Sequence, residues 1–227
     1  AIKQSTKFLK DNFIPNPKLD SEILMAKIIQ KDRDYILLNS NKSLSSDDLN
    51  KFNKLIEERS LHKPVAHLIK KKFFWNSEFL VTKDTLIPRP DTELIVENIL
   101  SVTKKKNKIK ILDIGIGSGC ILLSILKERK DFKASGIDIS NHALKVCKIN
   151  AYKLGVKNRV RLFKSDIDKF CNGKYDLIIS NPPYIKNLDL RYLEKNVVKY
   201  EPKLALDGGL DGISEIRKTI KKSSELI

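Results

Sequence analysis

The sequence predicts an α/β fold: a Rossmann-like, doubly wound parallel sheet preceded by a small helical domain. Two observations carry this. From residue 109 onward, short apolar runs rich in β-branched residues alternate with segments of helical period, the pattern of a parallel sheet covered on both faces. The first of these runs ends in a glycine-rich turn that opens a helix, Leu112-Asp113-Ile114-Gly115-Ile116-Gly117-Ser118-Gly119.

Residues 1 to about 62 read as helices. Ile23, Leu24, Ile28 and Ile29 follow a helical period behind the cap candidates Asp20 and Ser21, and Ser46 opens a second helix with Leu49, Phe52, Leu55 and Ile56 on one face. Pro64 is expected to end the region. Nothing in it suggests chemistry. Residues 73–81 are aromatic and β-branched and predict a strand or hairpin. In Thr85-Leu86-Ile87-Pro88-Arg89-Pro90-Asp91-Thr92-Glu93 two prolines bracket one arginine and stiffen the backbone around it; Pro90, Asp91 and Glu93 suit a first helical turn. A helix to about Val102 follows, then the lysine-rich run 104–110, read as a solvated loop. Strands are expected at 109–114, 134–139, 160–163 and 175–180, with helices at 121–130 and 142–154 between them. The expected domains are 1–70 (helical), 71–88 (hairpin and linker) and 89–227 (sheet).

Composition bounds the function. Cys120, Cys147 and Cys171 are odd in number and never spaced C-x-x-C, and His62, His67 and His142 are unclustered, so neither a disulfide framework nor a metal site is expected. A reducing, cytoplasmic compartment fits this cysteine usage. No apolar run approaches the roughly 20 residues of a membrane span, and the residues from Ala1 onward do not read as a secretory signal. The net charge of +16 admits a nucleic-acid or nucleoprotein contact through a basic surface. Lysine supplies 36 of the 44 basic residues, however, and only eight are arginine, the residue whose planar fork reads guanine and phosphate. Compositional bias is therefore the leading reading of the charge.

The glycine turn separates two kinds of ligand. Dinucleotide folds prefer G-x-G-x-x-G, which leaves room for a pyrophosphate. Here the spacing is G-x-G-x-G behind Asp113, which suits a ligand without phosphate, lying against bare backbone near an acid. S-adenosylmethionine, a sulfonium cation, is such a ligand. Gly115, Ile116, Gly117, Ser118 and Gly119 are the expected contacts. Asp138 ends the next strand, 19 residues past Gly119, close to the ~20 expected of a carboxylate on ribose hydroxyls; capping the following helix is its structural alternative. Asp166 follows the third strand and is a candidate acceptor for an adenine amino group, with Ile167 packing on the ring; an ordinary loop cap is the alternative there.

Asp176-Leu177-Ile178-Ile179-Ser180-Asn181-Pro182-Pro183-Tyr184 is the sharpest signal. A buried strand delivers an Asn into a rigid diproline turn that ends in an aromatic. A planar amide or arylamine nitrogen is a poor nucleophile because its lone pair is delocalised. The Asn181 side-chain oxygen and the Pro182 carbonyl can both accept from one NH2 group, orienting the nitrogen and favouring the lone pair as positive charge develops. Tyr184 can cover the planar group.

These residues resemble the HemK/PrmC family of protein-(glutamine-N5) methyltransferases that modify peptide chain release factors. The resemblance runs from about residue 8 to the end. It rests on 64–68 (P-V-A-H-L), 85–93, 112–119, 180–185 and 200–202 (Y-E-P), followed by 205–206 and 208–209. It implies a helical N-terminal domain that helps recognise the release factor, and an S-adenosylmethionine-dependent catalytic domain. It also implies cofactor contacts at 115–119, Asp138, Asp166 or Ile167, and Asn181. The substrate glutamine, in a G-G-Q tripeptide, would be held by Asn181, Pro182, Pro183 and Tyr184, with Arg89 beside the site or acting as a linker contact. The sequence departs from the family at Lys70, where glycine is usual. Family catalytic domains also continue with further strands, so the sheet is expected to be incomplete at the C-terminus and the chain truncated. N-P-P-Y alone is shared with DNA adenine and some RNA methyltransferases. An adenine-N6 activity on DNA or RNA is therefore the alternative, although the N-terminal helices lack the interleaved aromatics and arginines that base flipping would use. A non-catalytic cofactor-binding module is a further rival, disfavoured by the intact N-P-P-Y.

Overall fold

The computed structural model describes residues 1–39 and 41–227. The chain divides into two compact units, Ala1–Lys70 and Lys71–Ile227.

The first unit consists of α1 (Ile2–Asp11), α2 (Pro17–Ile29), α3 (Arg33–Leu38), α4 (Ser46–Ser60) and α5 (Val65–Ile69). Leu9, Leu24, Met25, Ile36, Phe52, Ile56 and Leu68 form its core. Three local expectations change. Asp20 and Ser21 do not cap α2. The helix starts at Pro17, whose fixed φ suits a first turn. Asp20 is buried inside it and accepts from Arg59 Nε at 2.7 Å, while Ser21 Oγ donates to the Pro17 carbonyl at 2.8 Å. Pro64 does not end the helical region but caps α5, its carbonyl accepting from His67 and Leu68. At the C-cap of α5, Lys70 adopts φ +57°, the left-handed conformation that glycine takes without steric cost. The turn thus forms around a lysine.

The second unit opens with the hairpin β1 (Lys71–Phe74) and β2 (Ser77–Leu80), in the register Phe74↔Ser77. Trp75 in its two-residue turn also has positive φ, +48°. It is held there by two carboxylates: its backbone N–H donates to Glu93 at 2.7 Å and its indole N–H to Glu128 at 2.9 Å. After a 3-10 turn at 90–92 come α6 (Glu93–Val102), β3 (Lys110–Ile114), α7 (Cys120–Glu128), β4 (Lys133–Asp138), α8 (Asn141–Lys153), β5 (Val160–Lys164), β6 (Leu177–Ser180), α9 (Lys195–Tyr200) and α10 (Ser214–Leu226).

β3 to β6 form one parallel sheet in the order β5-β4-β3-β6. The pleat sends alternate residues of β3 to opposite faces. Ile111 packs with Val96, Leu122, Leu126 and Ala151 beneath α6, α7 and α8. Leu112 and Ile114 pack with Ile137, Ile167, Phe170, Tyr175 and Leu226 of α10. This is the α/β architecture read from the strand–helix alternation. β6 begins later than expected. Tyr175 instead donates its N–H to the Leu226 carbonyl, and the Asp176 carboxylate accepts from Lys110 N–H at 2.8 Å. Among the described residues no helix is long and apolar enough to cross a membrane.

Candidate active site

The register fixes what meets at the carboxyl edge of the sheet. Ile114 pairs with Ile137 on one side and Ser180 on the other, and Asp138 pairs with Lys164. The strands therefore end at Ile114, Asp138, Lys164 and Ser180, within one residue of a common level. β3 and β6 are neighbours, yet the chain runs from β3 through β4 and β5 on one side before returning to β6 on the other. Their exits diverge, and a crevice at such a switch point is the ligand site of open α/β sheets. Ser180 Oγ donates to the Ile114 carbonyl at 2.8 Å, tying the two exits together.

The glycine turn is built by backbone bonds. Gly115 and Ile116 N–H both donate to the Ile137 carbonyl, at 2.9 and 3.0 Å, and Gly117 N–H donates to Asp138 Oδ2 at 3.0 Å. Gly119 precedes α7 with φ +81°. A Cβ there would lie 2.7 Å from both Cys147 Sγ and Leu123 Cδ1, so only glycine fits. Behind the turn, Asn150 of α8 is buried and fully engaged. Its Nδ2 donates to the Ser118 and Leu80 carbonyls at 2.9 and 3.0 Å, and its Oδ1 accepts from Leu80 N–H at 2.8 Å. One side chain thus ties the hairpin to the glycine turn. Sequence reading missed Asn150, because nothing local distinguishes it from an ordinary helical Asn.

Two carboxyl groups stand under this turn. Asp113 is only 2% exposed. Burial, with a smaller contribution from Asp138, pushes its pKa from 3.8 up to about 8. Asp138 is also raised by burial, against the opposing pull of N–H donors at Ser140 and Gly117. Both its oxygens accept backbone bonds, the second from Ser140 at 2.8 Å, which fixes the carboxylate while leaving further lone pairs free. Burial likewise pushes Cys120 up to about 12 and raises Cys147. Bare backbone at Gly115, where nothing lies within 4 Å of an added Cβ, together with the Asp138 carboxylate fits a cationic ligand bearing a diol, such as S-adenosylmethionine. Asp166 starts a 3-10 turn and accepts from Asp168 N–H at 3.1 Å, and Ile167 is buried against the core. Among the described residues, no group of three or more His, Cys, Asp or Glu could hold a metal ion.

On the other side of the crevice, Asn181, Pro182 and Pro183 are half-buried and Tyr184 is 65% exposed. The chain then forms a parallel bridge, Ile185↔Asp207. Arg89 pairs with Glu201, Nη2 to Oε1, at 2.6 Å, and Glu201 Oε2 accepts from Ile87 N–H at 3.0 Å. Sequence reading had no chemical reason to single out Glu201, which it met only within a Y-E-P segment. Two open surface concavities lie away from the crevice: one of about 470 Å³ lined by Asp168 and α10, the other of about 740 Å³ along 106–110. Neither touches the glycine turn or the Asn181 loop.

Two family models match the chain, the PrmC N-terminal domain over residues 1–69 and the methyltransferase small domain over residues 90–210. A protein of Buchnera aphidicola subsp. Schizaphis graminum named release factor glutamine methyltransferase is 41% identical over 212 residues, covering 93% of this chain and 76% of its own length. Proteins of the same name from Leptospira interrogans (39% identical over 209 residues, 90% of this chain and 73% of theirs) and Caulobacter vibrioides (37% over 211 residues, 92% and 73%) are similar to it as well. The spacing of the two loops, the acids beneath the glycine turn and these likenesses converge: the chain belongs to the release factor glutamine methyltransferase family of S-adenosylmethionine-dependent enzymes.

Proposed function

We propose that this protein methylates the side-chain amide nitrogen (N5) of the glutamine in the G-G-Q motif of peptide chain release factors, in the cytoplasm. The supporting observation is the pairing of β3 with β6. It sets the exit to Asn181 beside the exit to Gly115 and locks the two through Ser180 Oγ.

The residues divide by side of the crevice. Gly115, Ile116, Gly117, Ser118 and Gly119 offer backbone to the methionine half of the cofactor, and Asp138 offers its carboxylate to the ribose. Asp166 and Ile167 border the adenine end, and Asn181 faces both ligands. Bound S-adenosylmethionine supplies an electrophilic methyl group on a sulfonium. Asn181 Oδ1 and the Pro182 carbonyl accept the two amide N–H groups and turn the nitrogen toward that methyl; the stiff Pro182-Pro183 backbone keeps these acceptors in place at no entropic cost during the reaction. Tyr184 covers the amide plane, and Arg89 supports the loop from its ion pair with Glu201. Asn181, Pro182 and Pro183 offer no titratable base, so the loop works by orientation and by dipoles aimed at developing positive charge, and the proton that the methylated nitrogen sheds passes to water. The first unit docks the release factor.

The test is transfer of labelled methyl from S-adenosylmethionine. Label should enter release factor and vanish when the tripeptide glutamine is replaced; label entering only DNA or RNA would overturn the reading in favour of adenine methylation. Asn181→Ala should lower turnover by about 10²-fold or more while cofactor affinity stays largely intact.

A further inference from the structure

Resting on that reading, we propose that Glu201 is a positioning residue for the substrate loop, holding Tyr184 in place through the segment 201–212. Its side chain is only 2% exposed, and both oxygens are taken: Arg89 Nη2 at 2.6 Å and Ile87 N–H at 3.0 Å. A buried carboxylate with two donors is held tightly, because leaving it unpaired is costly. The donors sit on an arm stiffened by Pro88 and Pro90, so Glu201 is fixed to a rigid element.

From Glu201 the chain passes directly onto the loop. Ile185 N–H donates to the Leu206 carbonyl at 3.2 Å, Gly208 N–H to the Ile185 carbonyl at 2.8 Å, and Asn187 N–H to the Gly209 carbonyl at 2.9 Å. Asp207 accepts from Asn187 Nδ2 at 2.8 Å and from Gly209 N–H at 3.0 Å. The contact is backbone to backbone. A Cβ on Gly208 would lie 2.8 Å from Tyr184 Cα and 2.9 Å from its carbonyl carbon, and one on Gly212 would lie 2.7 Å from the Tyr184 carbonyl oxygen. Tyr184 therefore rests where this segment lets it rest. The segment is pinned at one end by Glu201 and at the other by Asp211, which accepts from Ile213 N–H at 3.0 Å and Arg217 at 2.6 Å. Loss of the Glu201 pairing, or a methyl group at Gly208, displaces the substrate side of the crevice and leaves the glycine turn alone.

The experiment compares wild type, Glu201→Gln and Gly208→Ala in kcat and KM for release factor, in S-adenosylhomocysteine affinity by calorimetry, and in hydrogen exchange. Displacement by about 1 Å can cost of order 10²-fold in rate, so kcat should fall at least roughly tenfold in both variants, with cofactor affinity within about twofold of wild type. Exchange in peptides spanning 181–188 should quicken at least about tenfold, while peptides spanning 110–140 stay unchanged. Unchanged exchange at 181–188 in Glu201→Gln overturns the positioning role, whatever the turnover and whatever Gly208→Ala shows. Exchange that quickens equally at 110–140 overturns it too, because it marks general destabilisation. A wild-type enzyme that labels no release factor overturns the proposed reaction instead, and the exchange comparison still decides the role of Glu201.

Discussion

Asp113→Asn should raise the stability of the second unit by an amount that grows with pH. In the folded protein, burial lifts the Asp113 pKa from 3.8 to about 8; in the unfolded chain the group is solvated and keeps its ordinary value. Below that value both states hold the proton and the aspartate costs nothing. As pH climbs, the unfolded chain gives up its proton while the folded one retains it. Unfolding then gains about 1.4 kcal/mol per pH unit until the folded group ionises as well. At neutral pH the accumulated penalty is about 4 kcal/mol, a large share of the ~5–15 kcal/mol that holds a domain together. Asparagine has the same size and no charge, so it escapes the penalty, although its new NH2 group brings a roughly constant cost of about 1–3 kcal/mol if left unpaired. The discriminating quantity is therefore the pH slope of the difference between variant and wild type. Urea denaturation followed by the fluorescence of Trp75 measures it, because the chain has a single tryptophan, in the same unit as Asp113. The difference should grow by about 4 kcal/mol between roughly pH 4 and pH 7 and level off above about pH 8. A difference that stays constant over that range would refute the burial argument.

Three further outcomes follow from named contacts. Asp138→Asn keeps the shape but removes the charge that Gly117 and Ser140 N–H groups face, and calorimetry should show S-adenosylmethionine binding roughly 10–100-fold more weakly. Asn150→Ala strands the Leu80 and Ser118 backbone groups in the interior and should cost about 3 kcal/mol in urea unfolding, with the hairpin amides losing protection first. Arg59→Met leaves Asp20 buried without its partner and should destabilise the first unit by about 3–5 kcal/mol; adding Asp20→Leu should recover most of that, and no recovery would mean that the pair is not what sets the cost.

Much of the site is legible in the sequence because its parts are local. The Gly115–Gly119 turn announces itself through glycine, since backbone with positive φ leaves other residues strained. Asn181-Pro182-Pro183-Tyr184 announces itself through two prolines behind an apolar run; the run reads as a buried strand, but β6 lies at the sheet edge and only Ile179 in it is buried. The strand–helix alternation that names the fold is likewise a short-range pattern. Where the sequence misleads, an interaction from far along the chain or a neighbouring element is responsible. Asp20 looks like a cap but is buried by Arg59, 39 positions away. Pro64 looks like a stop and serves as the start of α5.

Tertiary structure alone decides the rest. Alternation implies parallel strands but not their order, so only the packed sheet sets β6 beside β3 and thereby brings the Asn181 loop to the glycine turn. Glu201 meets Arg89 across 112 residues, and Asn150 meets Leu80 across 70. A buried hydrogen bond of that span leaves no period and no propensity in either segment. It exists because folding takes at least one of the two groups, the Glu201 carboxylate or the Asn150 amide, out of water, where it cannot stay without a partner.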